Sequence, residues 1–219
     1  MTHKRFWDDP YRCELATQVA TVDGARVTLQ ATIFYAESGG QESDSGSIAG
    51  LPVLQAEKLG RDIVYTLAAG HGLQAGDAVT VRIDWPRRYR LMRLHFAAEL
   101  VLETICQTLA GVEKIGAHIG EHKARIDFAL PQPITPQLPA LQARIDALIA
   151  ANLPITSAFA DAASERRYWE IAGYGRVPCG GTHLRRSGEV GRIALKRKNV
   201  GKGKERVEIT LLGDGSSPG

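Results

Sequence analysis

Residues 84–109 read DWPRRYRLMRLHFAAELVLETICQTL, and within them the spacing of apolar residues changes. Before Asp84, apolar side chains fall in short, β-branched or alternating runs. After Pro86, Leu91, Leu94, Ala98, Val101, Ile105 and Leu109 recur every three or four positions, which predicts one apolar stripe on a helix from about 87 to 110. Pro86 suits the opening of that helix, because a first-turn N–H has no acceptor inside the helix. The change of period divides the chain into a β-rich stretch, 1–86, and a mixed stretch, 87–219.

On the N-terminal side, Ala25–Phe34, Ile63–Leu67 and Ala78–Ile83 read as strands between glycine-containing turns, and Asp23-Gly24 between two alternating runs signals a hairpin. Short strands and tight turns of this kind imply a small barrel or an open antiparallel sheet. On the C-terminal side, Lys114–His118 and Lys123–Leu130 are strand candidates, and Pro131, Pro133, Pro136 and Pro139 punctuate a loop. Leu141, Ile145, Leu148 and Ile149 then mark a second helix of about 12–15 residues, stopped near Asn152 and Pro154. Arg167–Ala172, Gly191–Lys198 and Arg206–Leu212 read as further strands, and Gly213–Gly219 as a disordered end. The expected fold class is α+β.

Of 219 residues, 44% are hydrophobic and 23% charged, which excludes wholesale disorder and a membrane-embedded chain. Three widely spaced cysteines, Cys13, Cys106 and Cys179, make a poor disulfide framework and suit a reducing compartment, and no apolar run approaches membrane-spanning length. The expectation is a cytoplasmic protein with no membrane partner. The net charge is only +3, but it is unevenly spread. Between Arg185 and Arg206 nine Lys/Arg face two acids, and Arg82, Arg87, Arg88, Arg90 and Arg93 face Asp84 alone. Two basic clusters on a near-neutral body fit a surface that follows a polyanion.

The densest chemistry lies in Pro178-Cys179-Gly180-Gly181-Thr182-His183. A thiolate and an imidazole four residues apart, with two glycines allowing a tight fold, can occupy two positions around Zn²⁺. His95 and Glu99, also four apart, emerge from one helical face and add an imidazole and a carboxylate. On its own, a histidine in an apolar helix is equally a packed core residue.

Thr32-Ile33-Phe34-Tyr35-Ala36-Glu37-Ser38-Gly39-Gly40-Gln41 with Asp44 and Gly46, Arg93-Leu94-His95, Arg125-Ile126-Asp127-Phe128 and Cys179-Gly180-Gly181-Thr182-His183 together resemble, in order and approximate spacing, the editing domain of alanyl-tRNA synthetases and their freestanding AlaX relatives. The resemblance covers residues 13–212. It implies a β-barrel-like N-terminal domain, 1–86, followed by an α+β zinc-binding editing domain, 87–219, of the kind shared with threonyl-tRNA synthetases. It also implies an aminoacyl-tRNA deacylase with one Zn²⁺ per chain and no aminoacylation activity. The substrate would be tRNA(Ala) mischarged chiefly with serine and sometimes with glycine.

The family pattern places zinc ligands at His95, at the position of Glu99, and at Cys179 and His183, but it has a second histidine where this chain has Glu99. Three readings follow: Glu99 ligates the metal, it acts on water beside a three-ligand site, or the metal is lost. His118 and His122 are further imidazoles whose spacing does not match the ligand motif. Thr32 and Gln41 match the polar residues of the amino-acid pocket, with Gly39 and Gly40 allowing close backbone approach. Arg87, Arg88 and Arg90, and Lys202 and Lys204 in the late Lys/Gly stretch, are expected to contact tRNA, whereas Asp127 reads as structural. Two alternatives remain: a tRNA-binding protein of the same fold impaired by Glu99, and a zinc hydrolase of a small ester or amide.

Overall fold

The computed structural model describes residues 1–201 and 203–213. Lys202 and the expected disordered end beyond Gly213 lie outside the described residues. Asp84 ends the β-rich stretch and opens the helix, its Oδ1 accepting the Arg87 N–H at 3.1 Å and its carbonyl the Arg88 N–H at 3.0 Å. Helix α1 therefore starts at Trp85 and runs to Thr108.

The fold is α+β, with few helices and many short strands. Contacts divide it into two units, one of residues 1–38 and 42–89, the other of residues 39–41 and the chain from 90 onward. The first unit holds β1 (His3–Lys4), β2 (Glu14–Asp23), β3 (Arg26–Leu29), β4 (Ala31–Thr32), β5 (Gly46–Ile48), β6 (Leu51–Pro52), β7 (Gln55–Leu59), β8 (Asp62–Thr66) and β9 (Ala78–Ile83). β1 and β4 pair in parallel, and the others form one sheet in the order β6-β5-β9-β2-β3-β8-β7. Gly24-Ala25 closes the expected β2–β3 hairpin, with Gly24 at φ +57°. The run expected to be continuous from Ala25 to Phe34 instead splits into β3 and β4, and Ile33, Phe34, Tyr35 and Ala36 leave strand geometry while staying buried.

Fully buried Arg88 ties this core together. Its Nε donates to Asp44 Oδ1 at 2.8 Å, one Nη also bonds Asp44 Oδ2, and the guanidinium reaches the carbonyls of Pro10 (2.9 Å) and Ile33 (2.6 Å). Asp44 in turn accepts the Tyr35 N–H at 2.7 Å. A charge with no access to water is tolerable only with such complete pairing.

The second unit comprises α1 from Arg90 onward, β10 (Glu113–Ile119), β11 (Ala124–Ala129), α2 (Leu138–Ala150), β12 (Thr156–Asp161), β13 (Arg166–Ile171), β14 (Gly175–Pro178), β15 (Ile193–Asn199) and β16 (Lys204–Leu211). Two antiparallel sheets result, β10-β11-β16-β15 and β12-β13-β14. α1 departs from the single stripe expected of it, because every residue from Leu91 to Ala98 is buried. Arg93 and His95 are accommodated there by partners, Arg93 Nε donating to the Val190 carbonyl at 3.0 Å. Asp127 is structural as expected: Arg206 donates to it at 2.6 and 2.9 Å, and Arg125 also bonds it.

Candidate metal centre

One helical turn separates His95 from Glu99, so α1 projects both side chains to the same side. Strand β14 ends at Pro178 and delivers Cys179, whose N–H is held by the Arg167 carbonyl at 2.9 Å. His95 Nε2 lies 3.2 Å from Cys179 Sγ, and the His95 and His183 rings lie 5.3 Å apart at 37°. Ligand atoms of His95, Cys179 and His183 all fall within 4.8 Å of one another. Gly181 makes this approach possible, since a Cβ there would sit 2.5 Å from His95 Cε1, while Gly180 faces open space.

Two buried ring nitrogens, His95 Nδ1 and His183 Nε2, have no hydrogen-bond partner among the described residues. His183 Nδ1 pairs with Ser157 Oγ at 2.9 Å, which fixes the ring and leaves Nε2 as the unsatisfied atom. Burial pushes both imidazoles below the ordinary histidine value, His183 well below, with further lowering there by His95 and Arg167. Both rings are thus neutral and able to donate a lone pair. Burial, and secondarily the Glu99 charge, pushes the Cys179 thiol up, so the free thiol holds its proton until a cation displaces it. Two imidazoles and a thiolate, with His95 Nε2 beside Cys179 Sγ and the buried His183 Nε2 left unsatisfied among the described residues, fit the donor chemistry of Zn²⁺.

Glu99 is not one of the three clustered ligands. Its Oε2 accepts the Trp169 indole N–H at 2.7 Å, and its Oε1 lies 3.8 Å from His95 Nε2. His118 and His122 are outside the cluster too, with His118 paired across β10 and β11 to Arg125 and His122 exposed.

Gln41 is fully buried in the second unit, its Nε2 donating to Thr182 Oγ1 at 3.3 Å and its Oε1 without a partner among the described residues. Gly40, at φ +86°, packs on β10: its carbonyl accepts the Ile119 N–H at 2.7 Å, and a Cβ would meet the Ala117 carbonyl oxygen at 2.7 Å. Gly40 therefore allows close approach of the chain's own backbone. Gly39, at φ +62°, has no such neighbour.

Thr32 and Arg88 are both engaged within the first unit. Thr32 is fully buried in the first unit's core, its Oγ1 bonding Tyr65 Oη at 2.6 Å and accepting the Phe34 N–H at 3.0 Å, so its hydroxyl is committed to the fold. Arg88, expected to reach RNA, is sealed against Asp44. Arg87 is largely covered and pairs with Glu42 at 2.9 Å, whereas Arg90 is about half exposed, 3.8 Å from Glu121. Lys204 is exposed at the start of β16. Ser157, Trp169 and Thr182 also bond the site residues, although Thr182 stands in the motif with no role assigned and Ser157 and Trp169 lie outside every motif. Alternation along β13 could have turned Trp169 inward, but nothing local to the sequence signals its partner.

Two family models match the chain. One, class II (A) tRNA synthetases, spans residues 8–87, and the other, the second additional domain of threonyl and alanyl tRNA synthetases, spans residues 171–208 and so includes Cys179 and His183. The fold and site thus fall in the class of synthetase-related editing modules. The chain is 30% identical to the alanyl-tRNA editing protein AlaX-M of Pyrococcus horikoshii, over 96% of this chain and 98% of that protein. It is 33% identical to AlaX-M of Methanosarcina acetivorans, over 97% of this chain and 100% of that protein. It is also 33% identical to the alanine–tRNA ligase of Ignicoccus hospitalis, of which it spans 26%. The chain belongs to the AlaX family of alanyl-tRNA editing proteins.

Proposed function

We propose that this chain is a trans-editing deacylase. It hydrolyses the ester of tRNA(Ala) mischarged with serine, accepts the glycine ester as a second substrate, and does not charge tRNA. The observation that carries the proposal is the clustered His95, Cys179 and His183 group, its two histidines buried and its cysteine half-buried, in a chain that aligns along nearly the whole of named alanyl-tRNA editing proteins. Its substrate places it in the cytoplasm. In domain terms we assign residues 1–86 to a barrel-like module and 87–219 to the editing module. Curvature in the first is supported by β2, which pairs with β9 through residues 14–18 and with β3 through 19–23, with a register shift between Val19 and Thr21.

His95, Cys179 and His183 would hold one Zn²⁺ with Glu99 beside them. Held there, the cation supplies positive charge for the oxygen on which negative charge develops as the ester is attacked. The chain's own residues do the rest. Ser157 fixes the His183 ring. Thr182 fixes the Gln41 amide and leaves Oε1 without a partner among the described residues, and we assign that oxygen as the acceptor for the serine hydroxyl or the α-ammonium group. A buried acceptor used by serine's hydroxyl stays unpaired with alanine, which penalises the correctly charged tRNA. Arg90 and the exposed Lys196, Lys198 and Lys204 of the β15–β16 hairpin are assigned to the phosphates, as is Lys202 from the sequence alone.

The test is release of serine from purified Ser-tRNA(Ala), with Ala-tRNA(Ala) as control and a chelator-treated arm. Rapid, chelator-sensitive loss of serine with alanine spared is expected. Tight tRNA binding without turnover would replace this reading by the binding-only one. Hydrolysis of small esters that tRNA does not inhibit would replace it by a small-ester hydrolase.

A further inference from the structure

We infer that Trp169 is a positioning residue for the metal centre: its indole N–H holds Oε2 of Glu99, so that Glu99 serves the cation through Oε1 alone. This rests on the metal-binding reading above.

A carboxylate one helical turn beyond His95 can rotate about its last torsion and present either oxygen. Trp169 removes that freedom. Its only polar group is a donor, it is fully buried, and its one bond is the 2.7 Å contact to Glu99 Oε2. The indole itself cannot turn. Phe96 packs edge-on at 5.2 Å and Tyr174 stacks at 6.4 Å and 20°. Tyr174 is anchored in turn through its hydroxyl to Thr104 Oγ1 at 2.7 Å and the Leu100 carbonyl at 3.0 Å. Ser157 and Trp169 are direct cross-strand partners on β12 and β13. The same register position therefore supplies the hydroxyl that orients His183 and the N–H that orients Glu99. Hydrogen-bond partners behind metal ligands typically change metal affinity about 10–100-fold.

Replacing Glu99 by Gln exposes the device. Glutamine has one acceptor oxygen, which the indole claims, so its NH₂ turns toward the ligand group, where it cannot donate a lone pair. Removing the indole as well frees the amide to reverse.

The experiment measures Zn²⁺ affinity of the metal-free full chain by competition with a chromophoric chelator. It compares wild type, Trp169→Phe, Glu99→Gln, Glu99→Ala and the double variant Trp169→Phe/Glu99→Gln. Trp169→Phe is expected to bind about tenfold or more weakly. Glu99→Gln should be as weak as Glu99→Ala, and the double variant about tenfold tighter than Glu99→Gln alone. The visible spectrum of the Co²⁺-loaded Trp169→Phe protein should differ from wild type, because the donor set changes. A Trp169→Phe protein with wild-type affinity and spectrum overturns the inference, as does a double variant no tighter than Glu99→Gln. If Trp169→Phe does not fold, Glu99→Gln decides alone: wild-type affinity overturns the inference, and a loss equal to that of Glu99→Ala supports it. A wild type that binds neither Zn²⁺ nor Co²⁺ overturns the metal reading together with this one. A wild type that binds zinc as described but releases no serine overturns the editing reading and leaves the role of Trp169 standing.

Discussion

Replacing Gly181 by alanine adds one methyl group at the point where the loop from β14 crosses His95. An ideal Cβ there lies 2.5 Å from Cε1 and 2.6 Å from Nε2 of the imidazole. Non-bonded heavy atoms favour about 3.5–4.0 Å, so the ring must retreat by about 1 Å. It has little room to do so, being buried between Cys179 Sγ at 3.2 Å and the His183 ring at 5.3 Å. Overpacking of this kind costs about 1–3 kcal/mol. A nitrogen displaced by about 1 Å no longer reaches a metal that it should hold at about 2.0–2.1 Å. Gly181→Ala is therefore expected to lower the urea stability of the metal-free protein and to abolish stoichiometric zinc binding in chelator competition. Gly180→Ala is the internal control, because a Cβ at that neighbouring position meets nothing within 4 Å. Wild-type zinc affinity in Gly181→Ala, or equal damage from both substitutions, would refute the packing argument.

Arg88→Met strands Asp44 as an unpaired carboxylate in the core and should cost about 3–5 kcal/mol in urea unfolding, a loss that an exposed role for Arg88 would not produce. Thr32→Val leaves the Tyr65 hydroxyl and the Phe34 N–H without their partner and should cost about 1–3 kcal/mol; an unchanged urea midpoint would restore a pocket role to Thr32. Acid should unfold the second unit through its carboxylates. Hydrogen bonding from Arg206 holds Asp127 below the ordinary 3.8, and hydrogen bonding from Arg197 holds Glu205 below 4.5, so each contributes stability that is present above those values and is lost as pH falls through the depressed folded values. Urea melts between about pH 6 and pH 3 should show this loss, with a shallower fall in Asp127→Asn, where the titrating carboxyl is gone.

Long periodic elements and the more apolar short strands, such as Ala78–Ile83 and Arg166–Ile171, were legible in the sequence, and the short strands without a pattern of their own were not. The three- and four-residue spacing from Leu91 onward located α1, and the cluster Leu141, Ile145, Leu148 and Ile149 located α2 (Leu138–Ala150). The exposed strand β12 and the four-residue β14 carried no period of their own, because both owe their strand geometry to pairing with β13. The run Ala25–Phe34 has the composition of one strand but forms two, because composition does not reveal where a ladder ends.

For the site, spacing alone put His95 and Glu99 on one helix face and Cys179 and His183 in one loop, since four residues make one helical turn and a glycine pair makes a tight bend. What sequence could not supply was the partner of each group. Thr32 and Gln41, alike as polar residues of one motif, diverge in the structure: the hydroxyl is bonded inside a core, while the amide keeps a bare oxygen. Arg88 and Arg90, alike as helix-start cations, diverge into a sealed ion pair and an exposed charge. Glu99 is held by a tryptophan 70 residues away. The linear pattern determined which donor chemistries the chain carries and the local geometry of those close together in it. Tertiary packing decided which donors are buried, which are already bonded and which are left free for a cation, because hydrogen bonding and desolvation depend on neighbours brought together only by folding.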